Sequence, residues 1–351
     1  MYIVIAIIAF GLLIAVHELG HFTAAKLLGV RVREFAIGMG PKILKKQGKE
    51  THYSLRLLPI GGFCAMDEDE EAKDTRSFTA QKRWRRVIIL AAGGFANIIA
   101  AAIIIVIIVS GMSVFRGTTI TRLEDGFPLE GEDGLMVGDT ITWINGERLY
   151  YLDDFSLLMQ LRGDSYPNLV IERNGEQIKL DNFPLEQREY VINGETEFRY
   201  GFSFNYIEAN FAESLKHAGY MAINNVRIVR LSLAMLVSGE ASVTDMGGPV
   251  MIIDTMNTIG QTSSSFGDAM GNIAWFTALI GVNIAVVNFL PIPAVDGGRI
   301  LFVCINWVVE KITRRKLNPK YEGYVHTATL VLLVGFMIFI LVNDVFRIAT
   351  R

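Results

Sequence analysis

The chain has 351 residues, of which 51% are hydrophobic and 20% charged, and its formal net charge is −3. It is too apolar for an ordinary soluble protein and too charged for a bundle of membrane helices alone. This balance is typical of a membrane protein with one soluble module. The small negative charge excludes a broadly basic, nucleic-acid-binding surface. Cys64 and Cys304 lack the spacing of a metal site or a disulfide framework.

The chain opens with an apolar run that extends to Leu28 and contains few polar residues besides the sequence His-Glu-Leu-Gly-His at 17–21. A helix from Ile3 to Leu28, at about 1.5 Å per residue, covers roughly 38 Å, which is enough to cross a bilayer core of about 30 Å. The run has no positive n-region and no small-residue cleavage site, so it is not a signal peptide. We predict a first transmembrane helix over residues 1–28.

Three ionisable side chains lie close together in this helix. His17 and His21 are four residues apart, so both imidazoles project from one helix face and can share a metal ion. Glu18 is placed to act as general base on a water molecule held by that metal. The alternative is a pair of helix-face histidines with a salt-bridged glutamate. Ionisable groups in hydrocarbon cost several kcal/mol each unless they share a partner, which favours the metal site.

Residues 29–86 are polar and rich in Lys and Arg, with a basic run from Lys82 to Arg86 just before the next apolar segment. The positive-inside rule places this segment in the cytoplasm and the N-terminus outside. Alternating apolar residues and Gly/Pro turns between Val30 and Gly62 predict short strands in a membrane-associated β-rich loop. The acidic run from Asp67 to Glu71 is interpreted as a solvated loop.

Residues 87–110 form the second predicted span, in which Asn97 is the strongly polar residue. Gly93 and Gly94 allow another helix to approach closely. Helical rise places Asn97 about 15 Å and His17 about 13 Å from the cytoplasmic boundary, at similar depths. Asn97 therefore either hydrogen-bonds near the metal site or joins two helices, and the sequence leaves both open.

Residues 111–210 are predicted to form one small extracytoplasmic β-rich domain. Its turns are Asn-Gly pairs at 145–146, 174–175 and 193–194, which favour hairpins. The predicted elements are strands 140–144, 168–172, 177–180, 189–192 and 197–204, and a helix from Asp153 to about Leu161.

Residues 211–272 are expected to contain an amphipathic helix on the membrane surface, followed by a loop. The apolar positions of 211–237 follow one stripe, with Lys216, His217, Arg227 and Arg230 off it. His217 is interpreted as a polar surface residue. The sequence Gly-Gly-Pro at 247–249 and the Thr/Ser residues of 262–265 indicate a loop-like stretch.

The third predicted span, residues 273–310, is interrupted by a Pro- and Gly-rich break that contains Asp296. Irregular backbone at membrane depth is tolerated where it lines a cavity or is buried in protein, so a carboxylate there indicates a functional site. Running inward, this span brings Asp296 to the depth of His17 and His21. Residues 311–324 are a basic cytoplasmic loop and 325–346 the fourth span, which leaves both termini extracytoplasmic.

A catalytic zinc site has three protein ligands and an open position, and His17, His21 and Asp296 supply three. With these ligands and the segment 288–293, the chain resembles the bacterial, RseP-like branch of the site-2 protease family of intramembrane metalloproteases. The resemblance covers nearly the whole chain and rests on motifs at 17–21, 38–41, 61–63, 247–250 and 288–298. It departs at 93–97, where Gly94 replaces the proline of the family pattern.

The resemblance implies an α-helical membrane protein with four transmembrane helices, a cytoplasmic membrane-associated β-hairpin or sheet region, and an inserted β-rich PDZ-like domain. It implies a zinc metalloendopeptidase of the bacterial cell membrane whose active site lies toward the cytoplasm. The implied substrates are transmembrane segments of single-pass membrane proteins, such as anti-sigma factors or signal-peptide remnants, after prior trimming. Asn288, Pro293 and Asn97 are expected to bind substrate, and neither nucleic acid nor an organic cofactor is expected.

The reaction requires the substrate helix to unwind, and an exposed strand between about Val30 and Tyr53 is expected to pair with the unwound segment. Two other functions stay open at this point. A membrane metal transporter uses similar ligands but needs a continuous polar path across the bilayer. A catalytically silent membrane adaptor with a PDZ-like domain gives no reason for Glu18 beside two ligands.

Overall fold

The computed structural model describes residues 1–67, 74–163, 165–192, 195–239, 247–314 and 319–349. The chain forms two compact units: a helical unit of residues 1–108 and 221–351, and a β-rich unit of residues 109–220. Most of the acidic run at 67–71 and the Asn-Gly pair at 193–194, both interpreted from the sequence, lie outside the described residues.

Eight helices are described, and five of them are long and apolar enough to cross a membrane. These five are α1 (Tyr2–Leu27), α2 (Arg83–Ser110), α4 (Phe211–Ser238), α6 (Phe266–Phe289) and α8 (Pro319–Ala349). The other three are α3 (Leu152–Leu161), α5 (Pro249–Thr262) and α7 (Asp296–Thr313). The chain is therefore a multi-pass membrane protein, and the count of four spans is not confirmed by helix length and composition.

The burial of α4 follows the predicted stripe only in part, since Ala218 and Val229 on the stripe are buried and other positions depart from it. Phe211 and Leu215, on the predicted apolar stripe, are 86% and 60% exposed. His217, interpreted as a surface residue, is buried, with its ring stacked on Phe115 and edge-on to Tyr151, at centroid distances of 4.3 and 4.0 Å. An apolar stripe suits a lipid-facing surface as well as a protein core, so periodicity alone did not determine which face is buried.

The stretch expected to be a loop after α4 contains the 14-residue helix α5. Pro249 occupies its first turn, where the missing N–H costs no hydrogen bond. The carboxylate of Asp344 on α8, which is fully buried, accepts hydrogen bonds from the backbone N–H groups of Gly248 and Met251 at 3.1 and 3.0 Å. The Gly-Gly-Pro sequence is thus a helix start capped by a carboxylate from another helix.

The segment between α1 and α2 contains two strands, β1 (Val32–Gln47) and β2 (His52–Met66), each of which bends back. Residues 32–37 pair on one side with 62–66 and on the other with 52–55, which also pair with 42–47. Gly38 lies at one bend with φ +84°, and an added Cβ would meet the carbonyl oxygen of Leu58 at 2.5 Å. The predicted short strands with tight turns therefore form a small antiparallel sheet, in which 62–66 is an edge.

The β-rich unit contains the remaining strands. They are β3 (Val114–Leu123), β4 (Thr140–Ile144), β5 (Glu147–Arg148), β6 (Leu169–Arg173), β7 (Glu176–Leu180), β8 (Arg188–Ile192), β9 (Glu195–Arg199) and β10 (Phe202–Glu208). The main sheet has the order β10-β3-β4-β6-β7, with β5 paired to β4, while β8 and β9 form a separate hairpin. Positive φ angles at both residues confirm the predicted turns at 145–146 and 174–175.

Two features of this unit differ from the sequence interpretation. The single strand expected at 197–204 is divided at Gly201 (φ +84°), so that β9 and β10 pair with different partners. β3 was not predicted.

The loop before β4 is held by the Arg173 guanidinium, which donates to both Asp139 oxygens at 2.7 and 2.8 Å and to the carbonyl of Gly134. Asp139 is buried, so this bidentate pair stabilises the loop.

Glu34 on β1 is held by three donors within the small sheet. Its Oε1 accepts from Lys42 at 2.9 Å, Arg56 at 3.0 Å and the Ser54 hydroxyl at 2.7 Å. Burial alone would raise the pKa of Glu34, but these hydrogen bonds outweigh burial and lower the pKa to about 2.

The low pKa of Glu34 predicts a pH-dependent contribution to stability. A carboxylate whose pKa is lowered by folding stabilises fully above its unfolded value of about 4.5, and this contribution is lost as pH falls toward 2. We expect Glu34→Gln to lower the thermal unfolding midpoint at neutral pH, with a difference from the native protein that shrinks below pH about 4.5. A difference that stayed constant from neutral to acidic pH in scanning fluorimetry would contradict this.

Candidate metal centre

Three side chains from α1 and α7 meet at one point in the helical unit. Asp296 Oδ2 lies 3.2 Å from Nε2 of His17 and 3.2 Å from Nε2 of His21. The two Nε2 atoms are themselves 3.2 Å apart, and both imidazoles are buried. Among the described residues, this is the one group of three or more His, Cys, Asp or Glu side chains close enough to hold a metal ion. The structure thus brings together the three ligands expected from the sequence.

The imidazole of His21 is oriented by a backbone group. Its Nδ1 lies 2.8 Å from the carbonyl oxygen of Ile89 on α2. A carbonyl accepts only, so Nδ1 carries the proton and the lone pair of Nε2 faces the cluster. Metal-binding histidines are commonly fixed in this way. His17 Nδ1 is buried and has no hydrogen-bond partner among the described residues.

Two glycines make room for the imidazoles. A Cβ on Gly93 of α2 would clash with Nε2 of His21 and would lie 2.7 Å from Cε1 of His17. A Cβ on Gly20 would clash with the carbonyl oxygen of Ala92. The absence of both side chains lets α1 and α2 approach with the imidazoles between them.

The turn between α6 and α7 presents Asp296. α6 ends at Phe289 and α7 begins at Asp296. Ala294 in this turn has φ +81°, a conformation that a non-glycine residue rarely adopts. A Cβ on Gly297 would clash with the carbonyl oxygen of Leu290, and one on Gly298 with that of Ile292. The turn therefore packs tightly against the first turn of α7, and this packing fixes the backbone position of Asp296.

Glu18 faces the edge of the small sheet. A Cβ on Gly62 would lie 3.3 Å from Glu18 Cγ, and the backbone amide of Cys64 is a hydrogen-bond neighbour of the Glu18 carboxylate. Residues 62–66 pair with 32–37 and with no other strand of the described residues. The expected general base thus lies beside the sheet edge at 62–66. The range in which an exposed strand is predicted, Val30 to Tyr53, contains the opposite edge, residues 42–47, which pair with 52–56 among the described residues.

The other predicted site residues are not joined to the metal ligands by a hydrogen bond in the described part of the chain. Asn288 is half-buried in the last turn of α6, and Pro293 lies in the turn before Asp296. Asn97 is fully buried, its amide atoms have no partner among the described residues, and its backbone lies 3.7 Å from the Cβ position of Gly281 on α6. Their roles in substrate binding stay predictions.

Sequence interpretation missed several groups around the cluster. Ile89 acts through its carbonyl oxygen, for which the side chain gives no signal. Gly20 lies inside the His-Glu-Leu-Gly-His sequence, and its lack of a side chain is the one feature of the sequence that could have indicated a close helix contact. Gly62 and Cys64 are brought to Glu18 by strand pairing that the sequence alone does not define.

Comparison with known proteins identifies the chain. The model of peptidase family M50 matches residues 5–336. The chain belongs to peptidase family M50, the site-2 protease family. It is 37% identical to a protein of Clostridium acetobutylicum over 98% of this chain and 97% of the relative. It is 34% identical to one of Clostridium perfringens (98% of each) and 32% identical to one of Fusobacterium nucleatum (99% of each). All three relatives bear the name "Putative zinc metalloprotease".

The M50 chain is therefore a membrane metalloprotease, and zinc is its cofactor. The residues present fit this ion. Two imidazole nitrogens and one carboxylate oxygen are a donor set of catalytic zinc sites, which keep a further position open. The space beside Gly93, which lacks a Cβ, accommodates both imidazoles, and the hydrogen bond at Nδ1 of His21 turns its Nε2 toward Asp296.

The space at Gly93 predicts a specific loss. We expect Gly93→Ala to displace the imidazoles, to lower zinc content several-fold and to abolish proteolysis while the protein still folds, because the clash is local. The matched control is Gly335→Ala on α8, where nothing lies within 4 Å of the added Cβ. Zinc is measured by elemental analysis of purified protein. Full zinc occupancy in Gly93→Ala together with activity would contradict the role of this glycine.

The backbone of Ala294 predicts opposite effects of two substitutions. Glycine adopts φ +81° freely, so we expect Ala294→Gly to retain zinc and to be neutral or slightly stabilising. The β-branched Ala294→Val is expected to destabilise by about 1–2 kcal/mol and to lower zinc affinity, because the strained turn shifts Asp296. Zinc titration and thermal unfolding of both variants measure this. Equal affinity in the two would show that the turn does not position Asp296.

Proposed function

We propose that this metalloprotease cuts within transmembrane segments of single-pass membrane proteins. The observation that carries the proposal is the position of Asp296 Oδ2 at 3.2 Å from both Nε2 atoms of an apolar helix long enough to cross a bilayer. A hydrolytic site on such a helix reaches peptide bonds that lie in the membrane. Regulated proteolysis of anti-sigma factors or signal-peptide remnants after trimming by another protease is the process that we infer.

The proposed ligands are His17, His21 and Asp296, with Glu18 as general base. When bound, zinc supplies a Lewis acid that polarises the scissile carbonyl and lowers the pKa of water. The Glu18 carboxylate takes a proton from the attacking water and returns it to the leaving amide nitrogen. The Cys64 amide beside Glu18 orients this carboxylate.

The strand edge at 62–66 is the proposed docking strand for the substrate. A peptide bond in a helix is shielded by its own hydrogen bonds, so the substrate has to be held in an extended form before water can attack. Backbone pairing at a free edge does this without regard to side chains. Because Gly62 and Cys64 adjoin Glu18, a strand added here lies next to the base. Asn288, Pro293 and Asn97 are proposed to hold the rest of the unwound segment.

Helix directions support a four-span topology. Along α6, Gly281 faces Leu13 of α1 and Ala101 of α2, whereas the later residue Phe289 faces Gly94 of α2. α6 therefore runs antiparallel to α2, and an even number of crossings separates them. α5, with 14 residues, is too short to cross the membrane. A crossing by α4 would then make the number of crossings between α2 and α6 odd, so in this topology α4 does not span the membrane. With the basic segments 29–86 and 311–324 inside, the termini lie outside and the active site lies toward the cytoplasm.

The β-rich unit is proposed to be a single PDZ-like domain that restricts which substrates reach the site. Two observations support it. The edge strand β10 lies against α3, with Phe155 of α3 5.7 and 5.3 Å from the rings of Phe202 and Phe204. The loop at 134–139, similar to the PDZ pattern, is held by Arg173. A strand edge beside a helix is the arrangement that receives extended peptides.

The metal site makes the protease proposal distinguishable from metal transport. A transporter needs further liganding groups along a path, and the described residues contain no second cluster of this kind. We expect Glu18→Gln to retain zinc and lose cleavage of a membrane-anchored substrate by several orders of magnitude. We expect His17→Ala to lose both zinc and cleavage. Full cleavage by Glu18→Gln would refute the base assignment, and zinc flux into vesicles by the native protein would favour transport.

The proposed role of the β-rich unit predicts a change in selectivity. Replacing residues 111–210 with a short Gly/Ser linker is expected to let untrimmed substrates be cleaved while pre-trimmed substrates are cleaved as before. The measurement is the ratio of the two initial rates in membranes, with zinc content as the control for an intact metal centre. An unchanged ratio would exclude a gating role.

A further inference from the structure

A group of basic and aromatic side chains occupies the surface where α2 begins and α7 ends. It consists of Lys82, Arg83 and Trp84 with Trp307 and Lys311, and we call it the basic-aromatic patch. Trp84 and Trp307 are 52% and 49% exposed, which is unusual for the largest apolar side chains. Neither tryptophan takes part in the metal centre, so both need another explanation.

The two halves of the patch are joined by an ion pair. Arg83 Nη2 contacts Glu310 Oε2 and so links the first turn of α2 to the last turns of α7. On α7, Trp307 lies three residues before Glu310 and four before Lys311, so all three share one face. Lys311 Nζ lies 5.5 Å from the centroid of the Trp307 ring. The ion pair therefore brings the start of α2 beside the end of α7.

The patch carries unbalanced positive charge. Glu310 is paired with Arg83, whereas neither Lys82 nor Lys311 has an acidic partner among the described residues. α2 is a membrane helix that starts at Arg83, so the patch lies where a span meets water. Lysine and tryptophan at this level meet phospholipid headgroups. A phosphate would satisfy the two lysines, and the two indole rings would face the glycerol and upper acyl region.

We propose that the basic-aromatic patch is a binding site for an anionic phospholipid that bridges α2 and α7. Basic pockets between membrane helices are a common form of headgroup site. The two helices it joins are the ones that supply Gly93 and Asp296 to the metal centre. A lipid bound to both helices stabilises the contact between α2 and α7. The binding itself does not depend on the proposed proteolytic function.

The test compares thermal unfolding of the full-length protein in detergent with added dioleoylphosphatidylglycerol or dioleoylphosphatidylcholine. Ligand binding to the folded state raises the unfolding midpoint. We expect the anionic lipid to raise it and the zwitterionic lipid to have little effect. The double variant Lys82→Ala/Lys311→Ala is expected to lose about half of this rise or more. Lys45→Ala/Lys46→Ala on β1 removes the same charge from the same unit and is expected to keep the full rise.

Three outcomes would overturn the proposal. The first is a double variant that keeps the whole rise, and the second is a Lys45/Lys46 control that loses as much, which would indicate unspecific charge attraction. The third is an equal rise with glycerol 1-phosphate, which would show a site for free phosphate esters. Because the indole rings are assigned to the lipid, Trp84→Ala/Trp307→Ala is expected to reduce the rise while leaving zinc content unchanged.

Discussion

The meeting of one carboxylate with two imidazoles inside an apolar helical unit is the constraint on which the rest of the structure depends. An isolated ionisable side chain in hydrocarbon costs several kcal/mol of free energy, and this cost falls when such side chains share a partner. Asp296 Oδ2 at 3.2 Å from both Nε2 atoms gives them a common centre. A zinc ion held by the proposed ligands would balance the negative charge and accept both imidazole lone pairs, which would stabilise the arrangement.

Backbone rather than side chains provides much of this centre. Gly20 and Gly93 supply space by lacking a Cβ, and the Ile89 carbonyl sets the proton position on His21. The turn before α7 is held by Gly297 and Gly298 against the carbonyls of Leu290 and Ile292. Side chains at these glycines would separate the ligands by ångströms, a distance that metal coordination does not tolerate.

The sequence predicted the parts of the structure that depend on chemistry or on local backbone preference. Ionisable residues in apolar runs identified His17, His21 and Asp296, and Asn-Gly pairs identified two hairpin turns. Features set by distant contacts were not predictable: the buried face of α4, the division between β9 and β10, and the edge strand at Glu18. α5 was taken for a loop because its capping carboxylate, Asp344, comes from α8.

The proposed ligands of the metal centre lie far apart along the chain, since Asp296 follows His21 by 275 residues (296 − 21). During synthesis, a nascent chain that has already inserted α1 and α2 contains His17, His21 and Glu18 but not yet Asp296. The proposed three-ligand zinc site would be complete only once α7 has been synthesised. With the proposed ligand set, the order of residues along the chain implies that an incompletely synthesised protease is inactive.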